Sequence, residues 1–460
     1  MTQRVFPLAA FSSSTLLATQ AFTPSAVSPR TRFRVQSILF ESDLATDVSE
    51  GAQRDIASFE AWASDYGIQR SEGFQLVGQE DISSNLDVSA ITTGDISAGE
   101  CVLYVPQELI LSSYGAMEQF GRLDEAEALL TQNGYEGSIR EYYLILKILK
   151  ELELGQESPW TAYFNSLPRF YSNGASMTPF CYSCLPPYAA KICKDERARL
   201  NNLSVKRVVP FLSNDTKGNT KAWKFAYNLA YTRGFDASDG SNEYCIVPMA
   251  DYCNHHSTES NVEMAFDDFG NCYVHATRDV PANTPLLLNY GESYNPSFLL
   301  ARYGFLDESS PASFCKILPS HVSNEMKDLG YSHETMLFYH NGEVAEEVWD
   351  HLLYVILGET DVDMQQMFYQ AHMAGDYETK SSIHSQYSGQ TVQGLIEHID
   401  TFLLDLDAKS SKVNYDAQPP RVVCWAFNDE FQWQMSFSFE FAHLWLLIRF
   451  NTYSKIPMPK

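Results

Sequence analysis

The segment VPMADYCNHHSTESN, residues 247–261, is the stretch from which the fold can be inferred. An apolar run leads into Asn254 and His255, with Cys253 and His256 on either side. These side chains suggest either a metal site or a tight turn that holds a ligand with its backbone. Because Cys253, His255 and His256 are too close together to face one ion easily from a tight turn, we favour the turn.

Three further segments accompany this one in order along the chain. They are AYNLAYTRGF (226–235) before it, and DVPANTPLLLNYGESYN (279–295) and LLARYGF (299–305) after it. Together the four segments resemble the SET-domain protein methyltransferases, in the branch of the plant Rubisco large-subunit lysine methyltransferase. An actin histidine methyltransferase belongs to the same branch, so the resemblance leaves both lysine and histidine as acceptors.

The resemblance covers about residues 55–415. SPWTAYFNSLP (158–168) is similar to the helical insert of that branch. QYSGQTVQGLIEHI (386–399) is similar to a helix start in its C-terminal substrate-binding domain. The resemblance implies that the Asn-His and Tyr-Gly-Phe segments pack through each other in a pseudoknot, which is an exception to the usual unthreaded connections.

Hydrophobic patterning predicts the same order of elements. REYYLILKILKELELG (140–155) has helical spacing and a glycine suited to a helix end. We therefore expect an α+β fold. The resemblance implies a SET domain over 55–306 with a helical insert over about 115–225, followed by an all-α substrate-binding domain over 310–415, and we expect an aromatic-rich extension over 416–460.

The resemblance implies S-adenosylmethionine as the cofactor and assigns the residues around it. The backbone of Asn254 and His255 is expected to bind the adenine, because fixed backbone donors need no ionisation. Arg233 is expected to bind the cofactor or the network on the substrate side, and Ser89 to lie beside the cofactor. Asp251 matches an aspartate at the substrate entrance, although it could also cap a turn.

Two tyrosines are the expected catalytic residues. Tyr303 matches the tyrosine nearest the transferred methyl group, and Tyr290 a second tyrosine that lines the channel. Methyl transfer requires a neutral nitrogen aimed at the methyl carbon and a site that excludes water. Lysine has a free pKa of about 10.4, so it must lose its proton first.

One segment departs from the family pattern. Asp87, Val88 and Ser89 stand where the family usually has Gly-x-Gly, a place where the backbone approaches the cofactor. An aspartate there could repel the methionine carboxylate of the cofactor or pair with its amine. The rival hypothesis is therefore a catalytically silent SET fold that acts as a protein-binding module.

Composition narrows the set of partners. The net charge of −26 disfavours nucleic acid, and no long apolar run predicts a membrane helix. Cys181 and Cys184 form a CxxC pair with Cys193 nearby, but no fourth ligand has a customary zinc spacing. We expect a monomer that binds a protein substrate, such as the Rubisco large subunit or another stromal protein, and holds no metal.

The N-terminus has the composition of a targeting segment. Residues 1–21 resemble a signal peptide, and residues 22–45 begin as a Ser-, Thr-, Pro- and Arg-rich stretch like a transit peptide. The junction ATQAFTP resembles the cleavage motif of bipartite plastid presequences. We expect plastid targeting, with a plain secretory signal or a disordered tail as alternatives.

Overall fold

The computed structural model describes most of the chain between the two predicted terminal segments. The described residues are 46–80, 86–205, 208–237, 243–312, 323–332, 335–339 and 343–410. The predicted presequence (1–45) and the predicted extension (416–460) lie outside the described residues.

Short strands and longer helices follow one another in the predicted order. The strands are β1 (Gln69–Arg70), β2 (Phe74–Glu80), β3 (Leu86–Thr92), β4 (Cys101–Val105), β5 (Leu111–Ser112), β6 (Phe235–Asp236), β7 (Tyr244–Ile246), β8 (Asn254–His255), β9 (Val262–Phe266), β10 (Cys272–Ala276) and β11 (Leu287–Leu288). Helix α1 (Ile56–Asp65) precedes the strands. The helices of the insert region are α2 (Ser113–Phe120), α3 (Asp124–Gln132), α4 (Ile139–Leu154), α5 (Thr161–Ser166), α6 (Pro179–Cys184), α7 (Pro187–Leu203), α8 (Asn214–Gly218) and α9 (Thr220–Arg233). The remaining helices are α10 (Pro296–Tyr303), α11 (Asn324–Asp328), α12 (Glu346–Thr360), α13 (Val362–Ala374) and α14 (Tyr377–Ser410). The expected α+β class is confirmed.

Helix α4 shows why the insert region folds as helices. Its apolar residues recur at helical spacing, and Tyr142, Ile145 and Leu149 are buried. The helix ends at Gly155, which has a positive φ of 57° and whose N–H donates to the carbonyl of Leu152. Glycine adopts this conformation without a Cβ clash, so the predicted helix end is confirmed.

The strands form four small sheets. Antiparallel β1, β4, β10 and β9 lie side by side in that order, with Tyr273 opposite Tyr104. Strands β2 and β3 form a separate hairpin, and β7 lies between β5 and β6. Strands β8 and β11 pair in parallel, with Leu287 opposite Asn254, 33 positions earlier in the chain, so a long excursion of the chain closes on the Asn-His segment.

Two hydrophobic cores lie in the described part of the chain. The first core joins the sheets to the insert helices and includes Tyr163, Trp223 and Tyr252. The second core joins α6, α7 and the C-terminal helices, and it includes Leu300 and Ala301 of α10. The C-terminal helices therefore share this core with α10, the helix whose last residue is the predicted catalytic Tyr303.

One helix is longer than the sequence predicted. QYSGQTVQGLIEHI was expected to contain a helix start, but Tyr387 lies well inside α14, which begins at Tyr377. The preceding turns contain Lys380 and His384, and both contact the buried carboxylate of Asp350. This anchoring on α12 explains why the helix begins ten residues before Tyr387. Among the described residues, no helix combines the length and apolar character needed to span a membrane.

Candidate functional site

The Asn-His segment forms a turn followed by a short strand. A 3-10 helix over Ala250–Tyr252 precedes β8, and Met249 before it is buried with a positive φ of 74°. Positive φ at a non-glycine residue is strained and persists only where the surrounding structure enforces it. Parallel pairing with Leu287 and Leu288 fixes β8.

The two signature residues of β8 differ in exposure. The Asn254 side chain is exposed and makes no hydrogen bond with a described residue. The His255 ring is 1% exposed, and its Nδ1 accepts from the backbone N–H of Tyr290 at 3.0 Å. Asn254 is therefore available to a ligand, whereas the His255 side chain is used inside the protein.

Tyr290 and Tyr303 lie together beside this turn. Their ring centroids are 5.0 Å apart, and Tyr303 is also 6.0 Å from the ring of Phe305. The Tyr290 hydroxyl donates to the carbonyl of Cys253 at 2.6 Å. The Tyr303 hydroxyl makes no hydrogen bond with any residue in the described ranges, so the two tyrosines are not equivalent.

Burial raises the pKa of both phenols. For Tyr290 the Arg233 charge opposes burial only in part, so the pKa lies well above the usual value of a tyrosine. For Tyr303 the Arg302 charge likewise opposes burial, and the pKa is again raised. Both hydroxyls are therefore neutral at physiological pH and act as dipoles rather than as charges.

Gly304 ends α10 directly after Tyr303. Its φ is 88°, and a Cβ at this position would lie 2.7 Å from the backbone nitrogen of Asn173. Both the left-handed conformation and the close approach of the insert therefore require glycine here. The Asn173 side chain donates to the carbonyl of Arg302 at 2.9 Å, which fixes the end of the helix further.

Arg233 and Asp251 form a buried ion pair. Arg233 Nη1 donates to the Asp251 backbone oxygen and to Oδ2, both at 2.8 Å, and Tyr163 donates to Oδ2 at 2.7 Å. The Asp251 side chain is 0% exposed. Burial lowers the pKa of Arg233, but the Asp251 carboxylate outweighs it and the net pKa is raised. The predicted substrate contact of Asp251 remains a prediction, and its carboxylate is already engaged inside the protein.

Strand β3 carries the segment that departs from the family pattern. Ser89 pairs with Val77 in a regular antiparallel ladder, and the Asp87 side chain is exposed. Non-glycine residues with positive φ in the described ranges are Met249, Asn283 and Glu292, so neither Asp87 nor Ser89 needs the conformational freedom of glycine.

Strand β3 is also connected to the Asn-His strand. The carbonyl of Ala90 accepts from Leu286 N at 2.9 Å, and Ile91 forms a bridge with Pro285. The chain continues from these residues into β11, which pairs with β8. Residues 285–288 therefore connect β3, which contains Ser89, to β8, which contains Asn254.

The region that contains β3, β8 and β11, residues 88–291, matches the family model of the SET domain. This region of the chain is therefore similar to a SET domain. No curated protein sequence matches the chain.

Solved structures of Rubisco LSMT share its fold. The SET domain of LSMT bound to lysine and AdoHcy aligns with a TM-score of 0.57 and 15% identity, over 84% of this chain and 91% of that one. Rubisco LSMT bound to sinefungin and monomethyllysine aligns with a TM-score of 0.58 and 14% identity, over 87% and 93%. Rubisco LSMT bound to AdoMet gives 0.57 and 16%, over 84% and 91%. The expected SET fold of the Rubisco LSMT type is confirmed.

The candidate site also contains contacts that the sequence did not predict. Tyr163 lies within SPWTAYFNSLP, but helical spacing gives no sign that its hydroxyl reaches Asp251, 88 positions away. Asp307 and Ser257 both contact His255, and no motif links them. Nothing in the sequence indicates that the backbone carbonyl of Cys253 accepts a hydrogen bond from the Tyr290 hydroxyl.

The cysteines lie in packed interiors. Cys181 and Cys193 belong to the second core, and Cys184 is buried beside it. Burial raises the pKa of Cys193 above its usual range, so its thiol is a poor metal ligand. In the part of the chain that the structure describes, no three histidine, cysteine or acidic side chains converge on a metal position.

Proposed function

We propose that this protein is an S-adenosylmethionine-dependent methyltransferase that acts on a lysine side chain of a protein substrate. One observation carries the proposal. The exposed Asn254 directly precedes His255, whose ring packs on Tyr290, and Tyr290 in turn packs on Tyr303, whose hydroxyl has no hydrogen-bond partner among the described residues. A methyl donor bound at Asn254 would place its reactive carbon near Tyr303.

The residues present fit the cofactor. Two buried polar atoms, Arg233 Nε and Asp251 Oδ1, have no hydrogen-bond partner among the described residues. Orphaned buried groups are costly unless a ligand or water satisfies them. The amino-acid end of S-adenosylmethionine offers both an acceptor and a donor. Asn254 and the backbone of β8 would hold the adenine end, with Ser89 on the neighbouring strand.

The chain's own residues explain how a transfer site would work. The cofactor supplies an activated methyl group on a positively charged sulfur. Tyr303 offers a neutral phenolic oxygen, which can hold C–H groups by weak hydrogen bonds. The packed rings of Tyr290 and Phe305 keep water away and confine the acceptor nitrogen to one direction of approach. A cationic donor nearby also favours the neutral form of the incoming lysine.

Lysine is favoured as the acceptor over histidine. The Rubisco LSMT structures with the same fold hold lysine or monomethyllysine beside AdoHcy or sinefungin. The rings of Tyr290, Tyr303 and Phe305 pack side by side and form an aromatic wall that can enclose a flexible alkyl chain. The C-terminal helices α12–α14 share a hydrophobic core with α10 and would dock the protein substrate, for which the Rubisco large subunit and other stromal proteins are candidates.

Labelled-methyl transfer tests the proposal. The full chain is incubated with S-adenosylmethionine carrying a labelled methyl group and a plastid stromal extract, and mass spectrometry locates the label. We expect label on a lysine of one or a few proteins. Label on histidine alone would contradict the lysine assignment. Failure to bind S-adenosylmethionine up to millimolar concentration in calorimetry would contradict the enzyme proposal.

The exposed carboxylate of Asp87 favours a second candidate, the silent binding module. If it acts on the methionine end of the cofactor, affinity rather than folding would suffer, because β3 is regular. The variant Asp87→Gly/Ser89→Gly separates the candidates. A wild type that binds no cofactor, together with a double variant that does, would support a silent module.

The plastid location is a separate proposal, supported only by the composition of residues 1–45. Fusing these residues to a fluorescent protein tests it in an algal cell with plastids of secondary origin. We expect the fluorescence inside the plastid. Fluorescence in the secretory pathway would support the plain secretory signal instead.

A further inference from the structure

Asp307 lies four residues after Tyr303, and its hydrogen bonds go to His255, Ser257 and Ser309. Its side chain is 3% exposed, and its Oδ2 lies 3.3 Å from His255 Nε2. The same oxygen accepts from the Ser257 hydroxyl at 2.5 Å. Its Oδ1 accepts from the Ser309 backbone N–H at 3.0 Å and from the Ser309 hydroxyl. Both carboxylate oxygens are thus surrounded by donors.

These contacts decide which nitrogen of His255 carries the hydrogen. The Ser257 hydroxyl gives its only hydrogen to Asp307, so it can only accept from His255 Nε2, 3.1 Å away. Both neighbours of Nε2 are therefore acceptors. On the other side of the ring, the Tyr290 N–H points at Nδ1, which must offer a lone pair. The consistent arrangement is a neutral imidazole with its hydrogen on Nε2.

The His255 ring in turn positions Tyr290. Its Nδ1 holds the Tyr290 backbone at 3.0 Å, and the two ring centroids are 5.1 Å apart. The Tyr290 hydroxyl is fixed on the Cys253 carbonyl, and its ring packs against Tyr303. A change in the His255 tautomer would replace an acceptor with a second donor facing the Tyr290 N–H. The backbone of Tyr290 would then have to move.

We propose that Asp307 is a positioning residue of the transfer site, because it sets the tautomer of His255 and thereby the placement of Tyr290 against Tyr303. This inference rests on the proposed methyltransferase function. The Asp307 carboxylate binds both Ser257, in the loop after β8, and Ser309, in the segment after α10. These two segments are also joined directly, because Ser257 N donates to the Ser309 hydroxyl at 2.7 Å. Its hydrogen bonds outweigh burial and lower the pKa of Asp307 to about 2, so the carboxylate is ionised whenever the protein is folded near neutral pH.

Asp307→Asn tests the role with little change of shape. An asparagine cannot offer acceptors on both sides, so its amide would donate towards Ser257 and His255 or towards Ser309. We expect kcat to fall about 10- to 100-fold, as for a small misplacement of reacting groups, while the KM for the substrate changes less than threefold. Glu308→Gln is the matched control, because it removes the same charge one residue away on an exposed side chain. We expect it to leave kcat unchanged.

A spectroscopic readout does not depend on turnover. Nitrogen-15 NMR of the histidine rings in the full chain distinguishes a hydrogen on Nε2 from one on Nδ1. We expect the Nε2 form for His255 in the wild type and a changed spectrum in Asp307→Asn. The Nδ1 form in the wild type would overturn the proposal, even if the variant fails to fold. A variant with the wild-type kcat and an unchanged His255 spectrum would also overturn it.

The same experiment separates this inference from the proposed function. A wild type that neither binds S-adenosylmethionine nor transfers methyl groups overturns the methyltransferase proposal and, with it, the assignment of a role in transfer. An active wild type whose kcat is insensitive to Asp307→Asn overturns the positioning role alone.

Discussion

The buried pair of Arg233 and Asp251 allows a sharp test, because sequence and structure suggest different roles for Asp251. Asp251→Asn keeps the shape of the side chain and removes its charge. The Arg233 guanidinium, 12% exposed, would then lose its only described carboxylate partner. It would keep its bond to the Asp251 backbone oxygen and its position 5.0 Å from the Tyr252 ring centre.

The expected cost follows from this geometry. Removing one partner of a buried ion pair costs about 3–5 kcal/mol, because the remaining charge is uncompensated. The two contacts that Arg233 retains favour the lower end, so we expect the free energy of unfolding to fall by about 3 kcal/mol. Urea unfolding followed by tryptophan fluorescence measures the change. The fall should appear in the midpoint of the transition at constant slope.

An exposed ion pair provides the matched control. Arg140 and Asp236 lie 2.6 Å apart, but the Asp236 side chain is 66% exposed. Asp236→Asn should therefore cost less than about 1 kcal/mol. If Asp251→Asn destabilises the protein no more than this control and instead raises the KM for the substrate, Asp251 contacts the substrate as the sequence resemblance implied. The structural argument for the ion pair would then be refuted.

Three further predictions concern other parts of the chain. Tyr303→Phe should lower kcat at least about tenfold, with the Kd for S-adenosylmethionine in calorimetry unchanged within about twofold, because only the hydroxyl is lost. Burial lowers the pKa of His351 to about 4, so stability present above pH 6.5 should decline by up to about 3 kcal/mol as the pH falls towards 4, and His351→Phe should remove this part of the decline in urea unfolding. Gly174→Ala would place a Cβ 2.6 Å from Cys193 Cα, so it should cost at least about 1–3 kcal/mol by the same assay, whereas Gly137→Ala, in open space, should not.

Local patterns explain what the sequence could predict. The spacing of Tyr142, Ile145 and Leu149 identified α4, and Gly155 marked its end, because both depend on neighbours within a few residues. The order of strands, insert and C-terminal helices was likewise readable. The start of α14 was not, because it depends on Lys380 and His384 reaching Asp350 on another helix.

The site could be predicted in its residues but not in its contacts. Asn254, His255, Tyr290 and Tyr303 could be named from motifs, and the structure places them together. Asp307 could not, because its partner His255 lies 52 positions earlier and no periodicity spans that separation. The sequence also does not distinguish an aspartate that contacts a substrate from one, such as Asp251, that neutralises a buried arginine.

The hydrogen bonds that fix Tyr290 indicate which property the altered Gly-x-Gly segment, Asp87 to Ser89, can affect. Tyr290 is held by hydrogen bonds to the Cys253 carbonyl and to His255 Nδ1, and neither of these two partners lies on β3. Because β3 keeps regular strand conformation with Asp87 and Ser89 in place, the substitutions leave the backbone intact and add only a carboxylate and a hydroxymethyl group. Their effect therefore falls on cofactor affinity, through the charge of Asp87, and not on the placement of Tyr303. A change at Asp87 should therefore weaken cofactor binding and leave the tyrosines in place. A change at Tyr303 should instead lower turnover and leave cofactor binding intact.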